Sequence, residues 1–271
     1  MVADDFNSAN YITLKQFDGG WIWLKNISEA SNRILPYLSK LTLDDMRKMA
    51  DLLNGSILEW KLFNDTQWIL RLMPLPDFII LYVLNADEEF GPDLKIFYHK
   101  SSIKVPTEDA YVFTEYLLEL VGVLAKQGVE KAASSQFQNE LISFQDLGKI
   151  MDPAKKDKMW GGIIGQRKVP LLKIDRRTAE QISRLLKVNL FIGKWQGINM
   201  EWCLKFDLLK NLSIYIGISA VGPEIQVYYT KNVINFESRR IGFFTLLYCN
   251  AIIREARKIL GDALPKLSNY L

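Results

Sequence analysis

One pattern of apolar and polar positions occurs twice along the chain. Residues 91–100 read GPDLKIFYHK, and residues 222–231 read GPEIQVYYTK. At the same spacing, the stretches that follow contain Phe113–Thr114 and Phe244–Thr245. A Gly-Pro pair is typical of a turn, and alternating apolar positions are typical of a half-buried strand. The pattern therefore predicts a turn, a strand, a loop and a long closing helix in each half of the chain.

The remainder of the first half predicts one early helix followed by a run of strands. Thr42 is a suitable helix cap, because acidic residues follow it in the first turn. The alternation around Trp21 and Trp23 favours a short strand or hairpin. A closing helix is predicted over residues 107–126, with Thr107 as its cap. Four strands are predicted, over residues 57–63, 68–73, 78–84 and 94–99. The third is apolar throughout, so we expect it to be buried on both faces.

The second half repeats this plan. Asp175 is predicted to cap a helix, and the closing helix is predicted over residues 238–260. Between the halves, the apolar positions from Phe137 to Ile150 predict an amphipathic helix within a linker. The four strands of this half are predicted over residues 189–195, 200–207, 212–219 and 224–230.

These elements predict an α+β fold, built by internal duplication of two tandem αββββα domains. Short connections between strands imply antiparallel sheets with helices packed on one face. The predicted organisation is an acidic first repeat over residues 1–126, a linker over 127–158 and a basic second repeat over 159–271.

The two halves differ in charge more than the net charge of +3 suggests. Residues 1–130 carry 12 Lys and Arg against 19 Asp and Glu, and residues 131–271 carry 22 against 12. A net charge of −7 is therefore followed by one of +10. This asymmetry indicates either a basic surface for an anionic partner, or two halves whose charges face each other or solvent.

Cysteine usage and hydropathy predict a cytoplasmic protein. Cys203 and Cys249 lie in apolar contexts outside any CxxC motif, which favours buried, reduced thiols. The first ten residues lack the apolar core of a signal peptide. The apolar stretch 241–253 is too short to cross a bilayer, so we expect no membrane partner.

Two polar features of the first half are candidates for chemistry. His99 is the single histidine, which excludes a paired-histidine metal site or an HExxH motif, and we interpret it as a bystander. Asp87, Glu88 and Glu89 could hold a divalent cation through carboxylate oxygens. The alternative, which we favour, is a solvated acidic turn.

One glycine-rich stretch of the second half is a candidate anion site. Residues 161–168 end in Arg167 and Lys168 and could cradle a phosphate through backbone amides. The sequence matches neither a Walker A loop nor GxGxxG, so a flexible, basic loop between the domains is favoured. No catalytic residue, cofactor or metal ligand is assigned from the sequence.

The apolar side chains of the second half suggest two further kinds of surface. The helix over residues 241–253 is apolar nearly all round, which predicts burial between layers or at an interface. Phe243, Leu247 and Ile253 are the interface candidates. Aromatic residues on the strands of this basic half could stack on single-stranded nucleic acid, although core packing explains most of them. These aromatic residues are Trp195, Trp202, Tyr215, Tyr228 and Tyr229.

Residues 78–120 resemble the C-terminal part of an uncharacterised domain family of archaea and clostridia, described only as a domain of unknown function. The resemblance rests on the apolar strand at 79–83, the sequence DEEFGP at 87–92, the strand at 94–98 and the sequence PTED at 106–109. The second copy keeps Gly222–Pro223 but lacks the acidic turn. The resemblance implies an archaeal or anaerobic bacterial source, and it implies no activity or site residue.

The hypothesis we favour is a non-enzymatic interaction or assembly protein, whose partner is another protein or a second copy of the chain. One alternative is a small-ligand binder or enzyme with an inter-domain cleft, lined by Asp87–Glu89 on one side and by Arg167 or Lys168 on the other. A second alternative is nucleic-acid binding by the basic half, which no motif supports.

Overall fold

Two five-stranded antiparallel sheets, one in each half of the chain, form the framework of the protein. The computed structural model describes residues 10–129, 140–150 and 164–264. The chain divides into a first unit, residues 1–136, and a second unit, residues 137–271. Helices flank each sheet, which confirms the predicted α+β class and the two tandem units.

The first unit begins with a short strand that joins the last strand of its sheet. The strand order is β1-β5-β4-β3-β2, and each neighbouring pair is antiparallel. The elements in chain order are β1 (Tyr11–Ile12), α1 (Leu24–Leu38), α2 (Leu43–Leu52), β2 (Ser56–Leu58), β3 (Thr66–Leu75), β4 (Phe78–Asp87), β5 (Gly91–His99) and α3 (Thr107–Gln127).

The second unit has the same sheet topology. Its strand order is β6-β10-β9-β8-β7, so its first strand again lies beside its last. The elements in chain order are β6 (Leu141–Ser143), α4 (Phe144–Ile150), α5 (Lys168–Leu172), α6 (Arg176–Leu186), β7 (Asn189–Trp195), β8 (Ile198–Leu209), β9 (Leu212–Ser219), β10 (Ile225–Thr230) and α7 (Ser238–Leu260). Each sheet thus contains one strand more than the four that were predicted.

Two of the three predicted helix caps are confirmed. The Thr42 hydroxyl accepts a hydrogen bond from the Asp45 backbone N–H at 3.1 Å, and the Asp45 carboxylate accepts one from the Thr42 N–H at 3.0 Å. In the second unit, Asp175 Oδ1 accepts from the Thr178 N–H at 2.8 Å. Each pair satisfies N–H groups that have no partner within the helix, and this fixes where α2 and α6 begin.

The prediction of Thr107 as a helix cap is wrong. Pro106 occupies the cap position of α3, and Thr107 is the first helical residue. The Thr107 hydroxyl instead donates to the Asp18 carbonyl oxygen at 2.7 Å. This bond joins the start of α3 to the N-terminal turns of the first unit, a long-range contact that local sequence does not show.

The strand predicted over residues 57–63 ends at Leu58. The apolar residues after it leave the ladder and cover the sheet face opposite α3. Trp60, Leu62 and Phe63 pack there against a fully buried cluster of Ile69, Leu81 and Val83. β4 is therefore buried on both faces, as predicted, because helices cover one face and this irregular segment covers the other.

The amphipathic helix predicted from Phe137 to Ile150 is only partly correct. Phe137 lies outside the described residues, Leu141–Ser143 is a strand, and α4 begins at Phe144. β6 pairs with residues 228–230 of β10, so backbone pairing with a distant strand overrides the helical pattern. The Ser143 hydroxyl then accepts from the Asp146 N–H at 3.0 Å, which starts α4.

The repeated residues of the sequence form the same buried hydrogen bonds in both units. The Tyr98 hydroxyl lies 2.8 Å from Thr114 Oγ1, and the Tyr229 hydroxyl lies 2.8 Å from Thr245 Oγ1. Each threonine hydroxyl donates to a carbonyl oxygen one turn earlier, at 2.7 Å and 2.8 Å respectively. Each tyrosine therefore donates to its threonine, and this bond joins the last strand to the closing helix.

Candidate functional site

The acidic stretch 87–89 forms the turn between β4 and β5. Asp87 Oδ1 accepts hydrogen bonds from the Glu89 and Phe90 backbone N–H groups, both at 2.8 Å. The bond from Phe90, together with that from Glu89, lowers the pKa of Asp87, because both stabilise the charged carboxylate. Asp87 therefore stabilises the turn itself.

An open cleft of about 880 Å³ lies beside this turn, within the first unit. Carboxylates dominate its charged lining, because Asp65 lies there with Asp87, Glu88 and Glu89. Lys61 is the one cation that the described residues contribute to the lining. Among the described residues, no group of three or more His, Cys, Asp or Glu side chains has a geometry that could hold a metal ion.

Trp68 also lines this cleft and differs from its counterpart in the second unit. Both tryptophans lie on the second strand from the sheet edge, and both are buried, with exposures of 4% for Trp68 and 0% for Trp202. Trp202 Nε1 donates to the Ile174 carbonyl oxygen at 2.8 Å. Trp68 Nε1 has no acceptor among the described residues. The shared fold thus leaves different hydrogen-bonding arrangements at equivalent places.

His99 has a local structural contact. Its Nδ1 accepts a hydrogen bond from the Ser101 N–H at 3.2 Å and lies 2.8 Å from the Ser101 hydroxyl. That hydroxyl in turn donates to the Asp77 carbonyl oxygen at 2.7 Å. The imidazole thereby caps the short 3-10 turn that follows β5.

The glycine-rich stretch is helical where it is described, so the prediction of a flexible loop is wrong for Gly165–Lys168. Arg167 is only 7% exposed, and its Nε donates to Asn250 Oδ1 of α7 at 2.7 Å. Lys168 is exposed. Residues 161–163 lie outside the described part of the chain.

The five polar candidates fall into two separate groups. The acidic turn belongs to the first unit, and Arg167 and Lys168 belong to the second. The Arg167 side chain is buried against α7, where it bonds to Asn250, whereas Lys168 is exposed to solvent. The inter-domain cleft that would join these two groups stays a prediction.

The apolar residues of α7 are mostly inside the second unit. Leu247 is fully buried, Ile253 is nearly so, and Phe243 is half-buried. Arg239 lies over the Phe243 ring at 5.8 Å. Of the three interface candidates, Phe243 is thus the one with appreciable exposed surface.

The strand aromatics of the second unit divide between the two faces of the sheet. Trp202 and Tyr229 are buried on the face covered by helices. On the other face, Phe191 and Trp195 pack on Tyr215, with ring centroids 6.2 Å and 4.7 Å from it, and Tyr228 lies beside Tyr215 in the register. Cys203 and Cys249 are free and buried, as predicted, and burial raises the pKa of each thiol to about 12.

A surface that the sequence analysis missed lies at the N-terminal turns of the first unit. Gly20–Trp23 is a 3-10 turn that leads directly into α1, not the predicted strand or hairpin. It leaves two consecutive large apolar side chains in solvent, with Trp21 69% and Ile22 56% exposed. Isolated exposed apolar residues are common, but an exposed tryptophan beside a second large apolar residue is not.

Contacts on both sides hold this turn in place. A Cβ atom at Gly20 would lie 1.9 Å from the Leu14 carbonyl oxygen, so only glycine fits there. The Trp23 ring stacks on Tyr111 of α3 with centroids 4.3 Å apart, and Asn26 Nδ2 donates to the Tyr111 hydroxyl at 3.1 Å. Burial in this contact raises the pKa of Tyr111 to about 12. The backbone of this turn is therefore held in one conformation, with the Trp21 side chain exposed to solvent.

A comparison with known protein families gives a match to the segment that contains this surface. Residues 3–120 are similar to a protein family described as Domain of unknown function (DUF3786). No curated protein and no solved structure matches the chain. The matched segment contains the Trp21 turn, the acidic turn and all five strands of the first sheet. Within the described residues, no helix has the length and apolar character required to cross a membrane.

Proposed function

We propose that the protein is a non-enzymatic interaction or assembly protein, and that it contacts a protein partner through Trp21 and Ile22. The observation that supports this function is the exposure of these two side chains on a turn that the rest of the first unit holds fixed. Tryptophan is enriched among the residues that dominate binding energy at protein interfaces.

The fixed geometry of the turn favours binding. Association normally costs conformational entropy, because side chains and loops become ordered at the interface. The Gly20 contact with Leu14, the Thr107–Asp18 hydrogen bond and the Trp23–Tyr111 stack already order the backbone around Trp21. A partner therefore gains the burial of two large apolar side chains with little further ordering of this protein.

The test is the double substitution Trp21→Ala and Ile22→Ala, compared with Phe90→Ala. Phe90 is the matched control, since it is 83% exposed in the same unit but stands alone at the β4–β5 turn. Self-association is measured by light scattering after size exclusion, and other partners by cross-linking and mass spectrometry from native extract. We expect the wild type and Phe90→Ala to form the same complex and the double variant to lose it.

Two results would count against the proposal. One is a wild-type protein that is monomeric and retains no partner. The other is a complex that survives the double substitution. Thermal unfolding of the double variant should match the wild type, because neither side chain is part of the core, and this separates loss of binding from loss of folding.

A further inference from the structure

The last strand of the first sheet is paired along its whole length on one side only. β5 pairs with β4 from Gly91 to Tyr98. On its other side β1 contributes only two residues, opposite Tyr98 and His99. Within the described residues, the stretch Gly91–Phe97 therefore has no neighbouring strand on that side. The backbone groups along such an edge are those that an added strand would satisfy.

A groove of about 500 Å³ runs beside this edge. One wall is residues 92–98 of β5, the other is α1, and residues 13–15 also line the groove. Leu94 and Ile96 lie on the same face of the sheet as Tyr98, because side chains alternate along a strand. They are half-buried, and Ile27 on α1 is 8% exposed. The groove thus combines an unpaired strand edge with an apolar lining.

From this arrangement we infer a peptide-binding site: an extended segment of a partner protein adds to the free edge of β5 and lies in the groove between β5 and α1. Strand addition of this kind draws affinity from main-chain hydrogen bonds and specificity from pockets for alternate side chains. The ligand is therefore an unfolded, extended segment with apolar residues at every second position. This site lies on residues other than Trp21 and Ile22, and it does not rest on the proposed function.

The first strand of the unit indicates the direction in which the bound segment runs along β5. β1 is antiparallel to β5 and occupies the same edge, with Ile12 opposite Tyr98. The chain leaves the edge after Ile12, because a 3-10 turn begins at Leu14. An added strand continues this pairing where β1 stops, beside Phe97, and extends towards Asp93.

The edge also carries features that limit which strands can pair with it. Pro92 has no N–H group, so pairing ends near that residue. Lys95 is exposed and forms a salt bridge with Asp93 at 3.3 Å. Charged and proline residues on an edge oppose indiscriminate association. The site is therefore selective, and the stretch 93–97 is available to pair through the backbone groups of every second residue.

The second unit provides an internal comparison. β10 runs from Ile225 to Thr230, and β6 covers Tyr228–Thr230. Among the residues that the structure describes, the stretch of β10 without a strand neighbour on that side is Ile225–Val227, and the adjoining α5 has five residues. Within the described part of the chain, the long free edge beside a long helix is thus a feature of the first unit.

The experiment uses the full-length protein and a phage-displayed library of random linear peptides. Peptides that bind are synthesised, and their effect on backbone amide exchange is measured. We expect slower exchange at those amides of residues 93–97 that point away from β4, which are every second residue of the stretch. Ser28→Trp, at an exposed position of α1 that lines the groove, should weaken binding by about tenfold or more, which is about 1.4 kcal/mol.

Glu29→Trp is the matched control, since it adds the same side chain at the neighbouring exposed position outside the groove lining. Peptide affinity should be unchanged in this variant and in the Trp21→Ala, Ile22→Ala protein. The inference is overturned by a library that yields no binder, by binders that leave residues 93–97 unprotected, or by equal effects of the two tryptophan substitutions. Protection that rises with protein concentration without peptide would instead assign the edge to a second copy of the chain.

Discussion

The first and second units attach their closing helices in the same way and complete their sheets differently. Tyr98 and Tyr229 each donate to a buried threonine on the long helix. Ile80 pairs with Tyr98, and Ile214 pairs with Tyr229, so Ile80 and Ile214 occupy equivalent positions. Three residues further along each strand, Val83 is therefore the counterpart of Gly217. At that position the first sheet packs a valine against Ile69 and Leu81, whereas the second has no room for a side chain.

This difference shows which contacts define the fold and which define the surface. The tyrosine–threonine bonds, the helix caps and the strand order recur in both units, so they belong to the scaffold. The Trp21 turn and the segment that covers the first sheet with Trp60 and Phe63 have no described counterpart in the second unit, and the free edge of β5 has only a shorter one, at Ile225–Val227. Surfaces for partners are expected among these unshared parts.

The largest expected effect is at Gly217. A Cβ atom there would lie 2.2 Å from the Trp202 carbonyl oxygen and 2.7 Å from Cys203 Cα, both backbone atoms of the neighbouring strand. Gly217→Ala should therefore destabilise the second unit by about 3 kcal/mol, the upper range for overpacking. The measurement is the free energy of unfolding in urea, with amide exchange used to follow each unit.

Gly222→Ala is the matched control, because a Cβ atom at Gly222 meets no atom within 4 Å. Its free energy of unfolding should equal that of the wild type. A Gly217→Ala protein as stable as this control would show that the two sheets tolerate the same side chains after all.

An intermediate effect is expected from Thr114→Val and Thr245→Val. Each substitution keeps the shape of the side chain and removes the acceptor of a buried tyrosine hydroxyl, which costs about 2 kcal/mol. The losses should be similar, since the two hydrogen bonds have the same length. Thr114→Ser and Thr245→Ser retain the hydroxyl and should recover most of the stability. If only one valine variant is destabilised, the bonds are not equivalent parts of the scaffold.

The smallest expected effect concerns the acidic residues at the two helix starts. Hydrogen bonds from Thr42 lower the pKa of Asp45, and those from Thr178 lower the pKa of Asp175, each from an ordinary value of 3.8. A lowered pKa in the folded state stabilises the protein above pH 3.8, and this contribution disappears as the pH falls through the lower, folded-state value.

The measurement is the free energy of unfolding from neutral pH to below pH 3.8, for the wild type and for Asp45→Asn and Asp175→Asn. Each substitution should remove a small part of the acid-dependent loss of stability, because Asp45 is only half-buried and Asp175 is exposed, so solvent screens both carboxylates. A pH profile that neither substitution changes would contradict the assigned role of these caps.

Much of the element order could be predicted because it rests on local signals. The predicted closing helix over 238–260 and the predicted strands over 189–195 and 212–219 coincide with α7, β7 and β9. Apolar periodicity and caps act over a few residues and are visible in the sequence. The errors arise where contacts with distant residues determine the local structure. Leu141–Ser143 is a strand because it pairs with β10, and the Thr107 hydroxyl bonds to the Asp18 carbonyl oxygen and does not cap α3.

The candidate surfaces were harder to predict for the same reason. Alternation around Trp21 and Trp23 looks like a strand, yet Trp23 stacks on Tyr111 while Trp21 stays in solvent. The adjacent glycines at 19 and 20 were the one available signal for a tight turn at this place. The free edge of β5 could not be inferred, because the sequence does not state where β1 leaves its partner.

By itself, the sequence determined the α+β class, the repeated order of strands and helices, and the helix starts at Thr42 and Asp175, since these follow from periodicity and from hydrogen bonds within one turn. The tertiary structure decided which strand edges are covered, which tryptophans are buried, and why Gly20 and Gly217 must be glycine. Those outcomes depend on how closely distant backbone segments approach each other, and such distances arise only when the sheets and helices have packed.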